Sequence, residues 1–255
     1  MIKKIFSTVS ILSVLLLLGS CQTLNSLANT ALSGTNDNGE PTDAQIGMGL
    51  KEALNVGISK GVEELIKQDG YFKNELIKIL LPPEAQKVQS IITKYVPGGD
   101  KLVADAILKM NRAAEDAANE AKPIFVNAIT SLSFNDVKNI LFGAENAATG
   151  YLKDKTYTSL SSAYSPRINE SLTKVGAVQA WQALVTPYNK FANSPLAATV
   201  KDAKPINPDL GAYVTQKALD GLFFKVQEQE KKIRTDVSSR TSELLKDVFG
   251  LLDKK

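Results

Sequence analysis

From residue 43 onward the apolar residues recur at intervals of three and four, and no alternating run lasts more than a few positions. With Gly and Pro falling at helix-length intervals, that pattern predicts an all-α fold, a single multi-helix bundle of about eight helices. The first helix is expected over 43–68, with Asp43 as N-cap and Gly70 as a left-handed stop. A second opens at Pro82-Pro83-Glu84 and ends before Pro97-Gly98-Gly99; a third and longest covers 100–131, with Pro123 expected to kink or split it. A fourth is capped by Ser133 and stops at Gly143. The remaining helices are expected over 145–163, 166–190, 208–235 and 238–252. Residues 194–208, rich in proline, form the longest candidate loop and the segment expected to be most mobile.

Two of these helices have small faces. Gly49, Ala53, Gly57 and Gly61 lie four apart on the first. A glycine inside a helix costs about 1 kcal/mol against alanine. The stripe therefore implies close packing on another helix, with a backbone wall lining a ligand groove as the alternative. On the third, Ala106, Ala113, Ala117 and Ala121 share a seam with Ile107, Met110, Ile124 and Phe125, which reads as core with a short interaxial distance.

Before residue 43 the pattern changes. Lys3 and Lys4 precede an apolar run over 11–18, then Gly19, Ser20 and Cys21, the sole cysteine. This is the pattern of a lipoprotein signal peptide (1–20) ending in a lipobox, Leu-Gly-Ser-Cys. The alternative, a transmembrane anchor beside an incidental cysteine, fits less well, because the mostly apolar stretch is only about 14 residues long against the ~20 needed to cross a bilayer. Cys21 is expected to carry a diacylglyceryl group on its sulfur and to become the first residue after cleavage. Two or more acyl chains give stable anchoring, so the lipid bilayer is the expected partner. Gln22 follows with no acidic run behind it, which in a two-membrane bacterium points to the outer membrane, facing the periplasm. Residues 21–42, rich in Ser, Thr, Asn and Gly, read as a lipidated N-terminus and flexible tether spanning ~25 Å, ahead of the all-helical domain at 43–255.

Composition narrows the chemistry. The formal charge of +3 falls to +1 once Lys3 and Lys4 leave with the signal. No dense basic stripe is present, so nucleic acid is not an expected partner. The chain has no histidine, and its one cysteine is assigned to lipid. Ser-His-Asp and Cys-His nucleophile pairs are therefore absent, as are zinc and haem sites built on those ligands. No cofactor and no metal are expected. Without an intrachain disulfide, the core must hold the fold alone.

Three stretches carry candidate chemistry. MNRAAEDAANEA (110–121) sets Asn111, Arg112, Glu115 and Asp116 beside the alanine seam, with Arg112 three and four positions before the two carboxylates. A solvated helix face explains this, and so does a partly buried cluster in which Arg112 keeps a carboxylate ionised. Glu115 with a second carboxylate such as Asp136, Asp220 or Glu230 would suit cell-wall glycan hydrolysis, which needs two carboxyls about 5–9.5 Å apart across a cleft. ATGYLKDKT (148–156) places Thr149, Tyr151 and Thr156 around Lys153 and Lys155, but no Ser-x-x-Lys motif accompanies them. Helix surface with anchoring by Tyr151 is the plainer account. LDGLFFKVQEQEKKIR (219–234) embeds Asp220 among apolar residues, where burial would demand a basic partner from another helix, and sets Glu230 four before Arg234, as in an ordinary surface ion pair.

With these segments in view, the chain resembles the uncharacterised bacterial envelope family known as domain of unknown function 4197. The matching stretches are GLKEALNVG, QDGYF, MNRAAEDA with KPIF, ILFGAENAATGYLKDKT, YVTQKALDGLF, and EKKIR leading to LLKDVFG, together covering 44–250. Lys153 stands where the family pattern tends to have arginine, which weakens a bidentate anion contact there. Leu80 and Val237 stand where prolines are usual. The resemblance implies a helical fold and an envelope location and brings no activity. The leading expectation is thus a tethered, non-enzymatic module binding an envelope partner or an apolar ligand. A carboxylate-dependent glycan hydrolase and a structural scaffold are the alternatives. The deciding geometry is whether Arg112, Glu115, Asp220, Glu230 and Arg234 meet in space.

Overall fold

The structure, a computed structural model, describes residues 39–133 and 137–253. Cys21, the signal, most of the tether and Asp136 lie outside the described residues. Among the described residues the chain is all-α, with nine helices and no strand: α1 (Asp43–Leu65), α2 (Pro83–Lys87), α3 (Gln89–Tyr95), α4 (Gly99–Ser131), α5 (Val137–Leu141), α6 (Ala147–Lys174), α7 (Ala177–Ala192), α8 (Gly211–Thr235) and α9 (Glu243–Phe249). Short 3-10 turns follow α7, α8 and α9. No described helix is long and apolar enough to cross a membrane.

The four long helices form a ring in which α1 packs on α4, α4 on α6, α6 on α8 and α8 back on α1. Residue pairings make these neighbours antiparallel: Lys51 of α1 reaches the Thr130 carbonyl near the end of α4, and Thr149 at the start of α6 meets Glu230 late in α8. Between them lies one core, in which Leu50, Leu54, Ile58, Met110, Phe125, Leu152, Tyr164, Leu219 and Leu222 are wholly buried. The alanine seam is part of it, with Ala106, Ala113, Ala117 and Ala121 buried and Ile107 and Ile124 only partly so. α7 lies on the outside of α4, and α9 on α1.

The glycine stripe of α1 is spent on close approach. A Cβ at Gly49 would lie 2.8 Å from the Val248 side chain, one at Gly57 3.1 Å from Val226 Cγ1, and one at Gly61 3.0 Å from Lys225 Cβ. The groove-wall alternative is thereby replaced by helix-on-helix contact with α8 and α9.

Several boundaries differ from those expected. Thr42, not Asp43, caps α1: its hydroxyl accepts from the Gln45 amide while the Gln45 side chain accepts from the Thr42 amide. Asp43 sits in the first turn, where its charge suits the helix dipole, and pairs with Lys138. α1 stops at Leu65, and the left-handed residue is Asp69 (φ 70°), not Gly70. Gly70 is needed because the chain doubles back so tightly that a Cβ there would sit 2.6 Å from the Leu65 carbonyl oxygen. Val88 (φ −108°, ψ 9°) divides the expected second helix into α2 and α3. α5 is only Val137–Leu141, and residues 134–136 between it and Ser133 lie outside the described residues.

Prolines misled most. α4 continues through Pro123, and α6 runs unbroken through Pro166, where a helix start was expected. Pro123 and Pro166 lie on exposed faces, as do Asn119 and Ser162, whose carbonyls lose an amide partner, so water can satisfy those oxygens. The break falls instead at Gly176, left-handed at φ 72°. The expected last helix is divided because Arg240, 3% exposed, turns inward to the carbonyls of Ile233 and Arg234; Ser242 then caps α9. The proline-rich loop before α8 is tied to α7. Asn189 exchanges hydrogen bonds with both backbone groups of Ile206, and Trp181 Nε1 donates to Asn207 O.

Replacing Gly49 by alanine should lower stability by about 1–3 kcal/mol through overpacking against Val248. Gly150→Ala, in α6 with nothing within 4 Å of the new methyl, should instead raise it by up to about 1 kcal/mol. Urea unfolding of the two variants beside the parent checks both signs.

Candidate functional site

The polar residues singled out in the sequence fall into three separate groups, joined by no hydrogen bond or ion pair among the described residues. The first holds a strap. Between α1 and α2 the chain runs through residues 66–82 without a long helix, so its backbone groups need outside partners. Two side chains of α4, Asn111 and Glu115, supply them, and Arg112 between them ties the strap through Asp69. Asn111 Oδ1 accepts from Ile79 N at 2.9 Å and Asn111 Nδ2 donates to Ile79 O at 2.7 Å, mimicking a strand partner. Glu115 Oε1 accepts from the amides of Tyr71 and Phe72. Its other oxygen takes a 2.5 Å contact from Arg112, which also reaches Asp69 at 2.6 Å. Glu115 is therefore a nearly buried clasp rather than part of a solvated face. Tyr71 completes the strap: its hydroxyl donates to Ala218 O and its ring lies against Gly221, where a Cβ would come within 2.5 Å.

The second group joins two helix ends. Glu230, wholly buried on α8, accepts from Ala148 N (3.0 Å), Thr149 N (2.7 Å), Thr149 Oγ1 (2.6 Å) and Arg234 Nε (2.8 Å). Asn146, the N-cap of α6, offers no side-chain cap, so a carboxylate from another helix fills that role. Arg234 donates to the carbonyls of Leu141 (2.6 Å) and Ile140 (3.0 Å), the last two residues of α5. The anion thus meets the positive end of α6 and the cation the negative end of α5. The expected surface ion pair is a buried one.

The third group is open. Lys153 pairs with Asp220 at 3.2 Å, each about two-fifths exposed, with the ammonium 5.3 Å from the Tyr157 ring and 5.6 Å from Phe223. Asp220 does take a basic partner from another helix, and it lies at the surface rather than buried, facing Lys153. Among the described hydrogen bonds neither lysine of this stretch bonds a hydroxyl: Lys155 lies over Tyr151, Tyr151 donates to Ser133 O, and Thr156 donates to Leu152 O.

Arg112 and Glu115 therefore meet each other, Glu230 meets Arg234 and Thr149, and Asp220 meets Lys153, but the five residues of the deciding question do not converge. The hydrolase pairs of Glu115 with Asp220 or Glu230 lose their geometry, while the pair with Asp136 falls outside the described residues. Glu115 borders a groove with Asp116, Glu120 and Lys174, Asp220 borders a different one with Leu76 and Phe224, and Glu230 is buried against helix ends. Burial works against ionisation of Asp116, yet hydrogen bonds from Lys174 and Ser171 outweigh it and hold its carboxyl below the usual range, the wrong direction for a general acid. Among the described residues no three acidic, histidine or cysteine groups gather as metal ligands would. Sequence reasoning missed Asp69 and Arg240. Asp69 sits inside the quoted QDGYF, and Arg240 gave no local signal because its partners Ile233, Arg234 and Asp253 come together only through the fold.

A different feature lies between the second half of α4 and the first half of α6: an open cleft of about 750 Å³ with more apolar than polar surface. Ile124, Ala128, Leu132 and Leu160 form its floor, and Ser131, Ser159 and Lys155 stand at its margins. Of the sequence candidates, Tyr151 and Thr156 border it. Its location follows from the small side chains on these helix faces, Ala128, Ser131, Ser159 and Ala163, which leave the space open.

Removing Glu230 by mutation to alanine should destabilise the protein by about 3–5 kcal/mol, since it strands a buried guanidinium. Asp220→Ala, in a half-exposed pair, should cost under about 1 kcal/mol; thermal unfolding separates the two. Hydrogen bonds from Lys73 and Arg112 also hold Asp69 below the ordinary carboxylate range. Because Asp69 and Asp116 have folded pKa values below their unfolded ones, their contribution is complete above about pH 5 and is lost as the pH falls through about 4 and below. Asp116→Asn should therefore weaken the protein at neutral pH and flatten the acid limb of stability against pH.

No curated protein and no solved structure matches the chain. Residues 40–250 match the family described as "Protein of unknown function (DUF4197)", a stretch that includes the strap, the buried bridge and the cleft. By that match over most of its length, the chain belongs to the DUF4197 family.

Proposed function

We propose that this protein is a lipid-anchored module of the bacterial cell envelope that binds a ligand or partner and performs no covalent chemistry of its own. Cys21 carries the acyl chains, residues 22–42 give the domain a reach of ~25 Å from the bilayer, and in a two-membrane cell the module faces the periplasm from the outer membrane. The observation that carries the binding reading is the α4–α6 cleft. At about 750 Å³ it falls within the ~300–1,000 Å³ of small-molecule sites, and its floor is apolar. The polar clusters support the same reading from the other side. Asn111, Arg112, Glu115, Thr149, Glu230 and Arg234 all spend their hydrogen bonds inside the fold, so none is poised as acid, base or nucleophile.

The cleft also lies toward the end of the domain at which α1 begins. Lys51 of α1 bonds the Thr130 carbonyl, one residue before cleft-lining Ser131, and Asp43 pairs with Lys138 of the neighbouring α5. A ligand extracted from the membrane would meet the cleft near the anchored end of the domain.

Cys21→Ser should move the protein from the membrane pellet to the soluble fraction of lysed cells, and retention in the pellet would remove the anchor. Binding of an environment-sensitive apolar dye should be saturable in the parent and abolished in Ala128→Trp, which fills the cleft; dye binding unaffected by that variant would remove the cleft as the site.

A further inference from the structure

We propose that the α4–α6 cleft takes a single-chain anionic amphiphile, its acyl chain along the floor and its carboxylate or phosphate headgroup at Lys155. This rests on the binding reading above and names the ligand class for the same cleft.

The apolar floor is elongated. Ile124 to Leu132 is two turns of α4, and Tyr151 to Ala163 three turns of α6, so at 1.5 Å per residue the cleft borders run about 12–18 Å. That length accommodates an aliphatic chain lying along the helices, where a compact polar metabolite would leave Ile124, Ala128, Leu132 and Leu160 facing water.

The charge is one-sided. Lys155 is the one ionisable ammonium or guanidinium among the lining residues, and no described lining residue carries a carboxylate. Lys155 forms no ion pair among the described residues. Its described contact is with the face of Tyr151, 5.6 Å from the ring centroid. By contrast Lys153, one turn fraction away, is committed to Asp220. A cation held over an aromatic face at the edge of an apolar floor attracts an anionic headgroup and repels a cationic one. Ser131 and Ser159 supply hydroxyls at the margins for the remaining headgroup oxygens. Free fatty acids and lysophospholipids share this chemistry.

The test is photo-crosslinking on the full-length lipidated protein in membranes, with three diazirine-bearing probes of equal chain length: a fatty acid, a lysophosphatidic acid and an alkyl-trimethylammonium. Either or both anionic probes should label peptides lining the cleft, and whichever does so identifies the headgroup source; the cationic probe should not. Lys155→Glu should lower anionic labelling about tenfold, while Lys155→Arg retains it. Because Lys155 is exposed, both variants should keep the parent melting temperature, so the result stands even if Ala128→Trp folds poorly. Equal labelling of the cleft by all three probes would overturn the anionic assignment and leave the apolar site standing. No cleft labelling by any probe, or labelling confined to residues 22–38, would overturn the site as well.

Discussion

The Glu230–Arg234 pair is the constraint on which the architecture turns. Two unit charges almost entirely removed from solvent are expensive to desolvate, and only complete hydrogen bonding makes the arrangement tolerable. Here the partners are the first amides of α6 and the last carbonyls of α5, groups that would otherwise be unsatisfied helix ends. The pair therefore fixes where α5 stops, where α6 starts, and how both sit against α8. Breaking it would release three elements together.

The strap obeys the same logic with different chemistry. A segment without a long helix can cross the flank of a bundle only if its amides and carbonyls find partners. Asn111, Arg112 and Glu115 are spaced along α4 so that they face Ile79, Asp69 and the Tyr71–Phe72 amides. Two of the stretches that carry the family resemblance, MNRAAE and QDGYF, are thus two halves of one clasp. Their residue types resemble those of an active site because buried backbone and catalysis both call for well-placed carboxylates and guanidinium groups.

Stability and binding are divided spatially. The interior of the ring is packed, its glycines and alanines consumed by close helix contact, and the α4–α6 cleft opens at the flank, where small residues of both helices leave space. A chain without an intrachain disulfide or histidine–cysteine metal ligands relies on such packing and on its buried hydrogen bonds, which favours a tight core and a surface site over an internal cavity.

Read alone, the sequence determined the all-α class, the alanine seam, the close-packing role of Gly49, Gly57 and Gly61, and the absence of histidine and thiol chemistry in the domain, since helical period and residue inventory are local properties. It also pointed to the stretches that matter without saying how. Pro166 read as a helix start, yet its exposed face with Ser162 lets α6 run on, and the break falls at Gly176, which the sequence did not single out. Glu230 and Arg234 read as a surface pair, and whether Asp220 is buried stayed open, because burial depends on what packs above a residue. In the first case that is the ends of two helices more than 80 positions away, and in the second only Lys153 at the surface. Tertiary structure alone assigned each polar residue its partner, because hydrogen bonding is satisfied across the fold and side chains neighbouring in sequence, such as Lys153 and Lys155, face different surroundings.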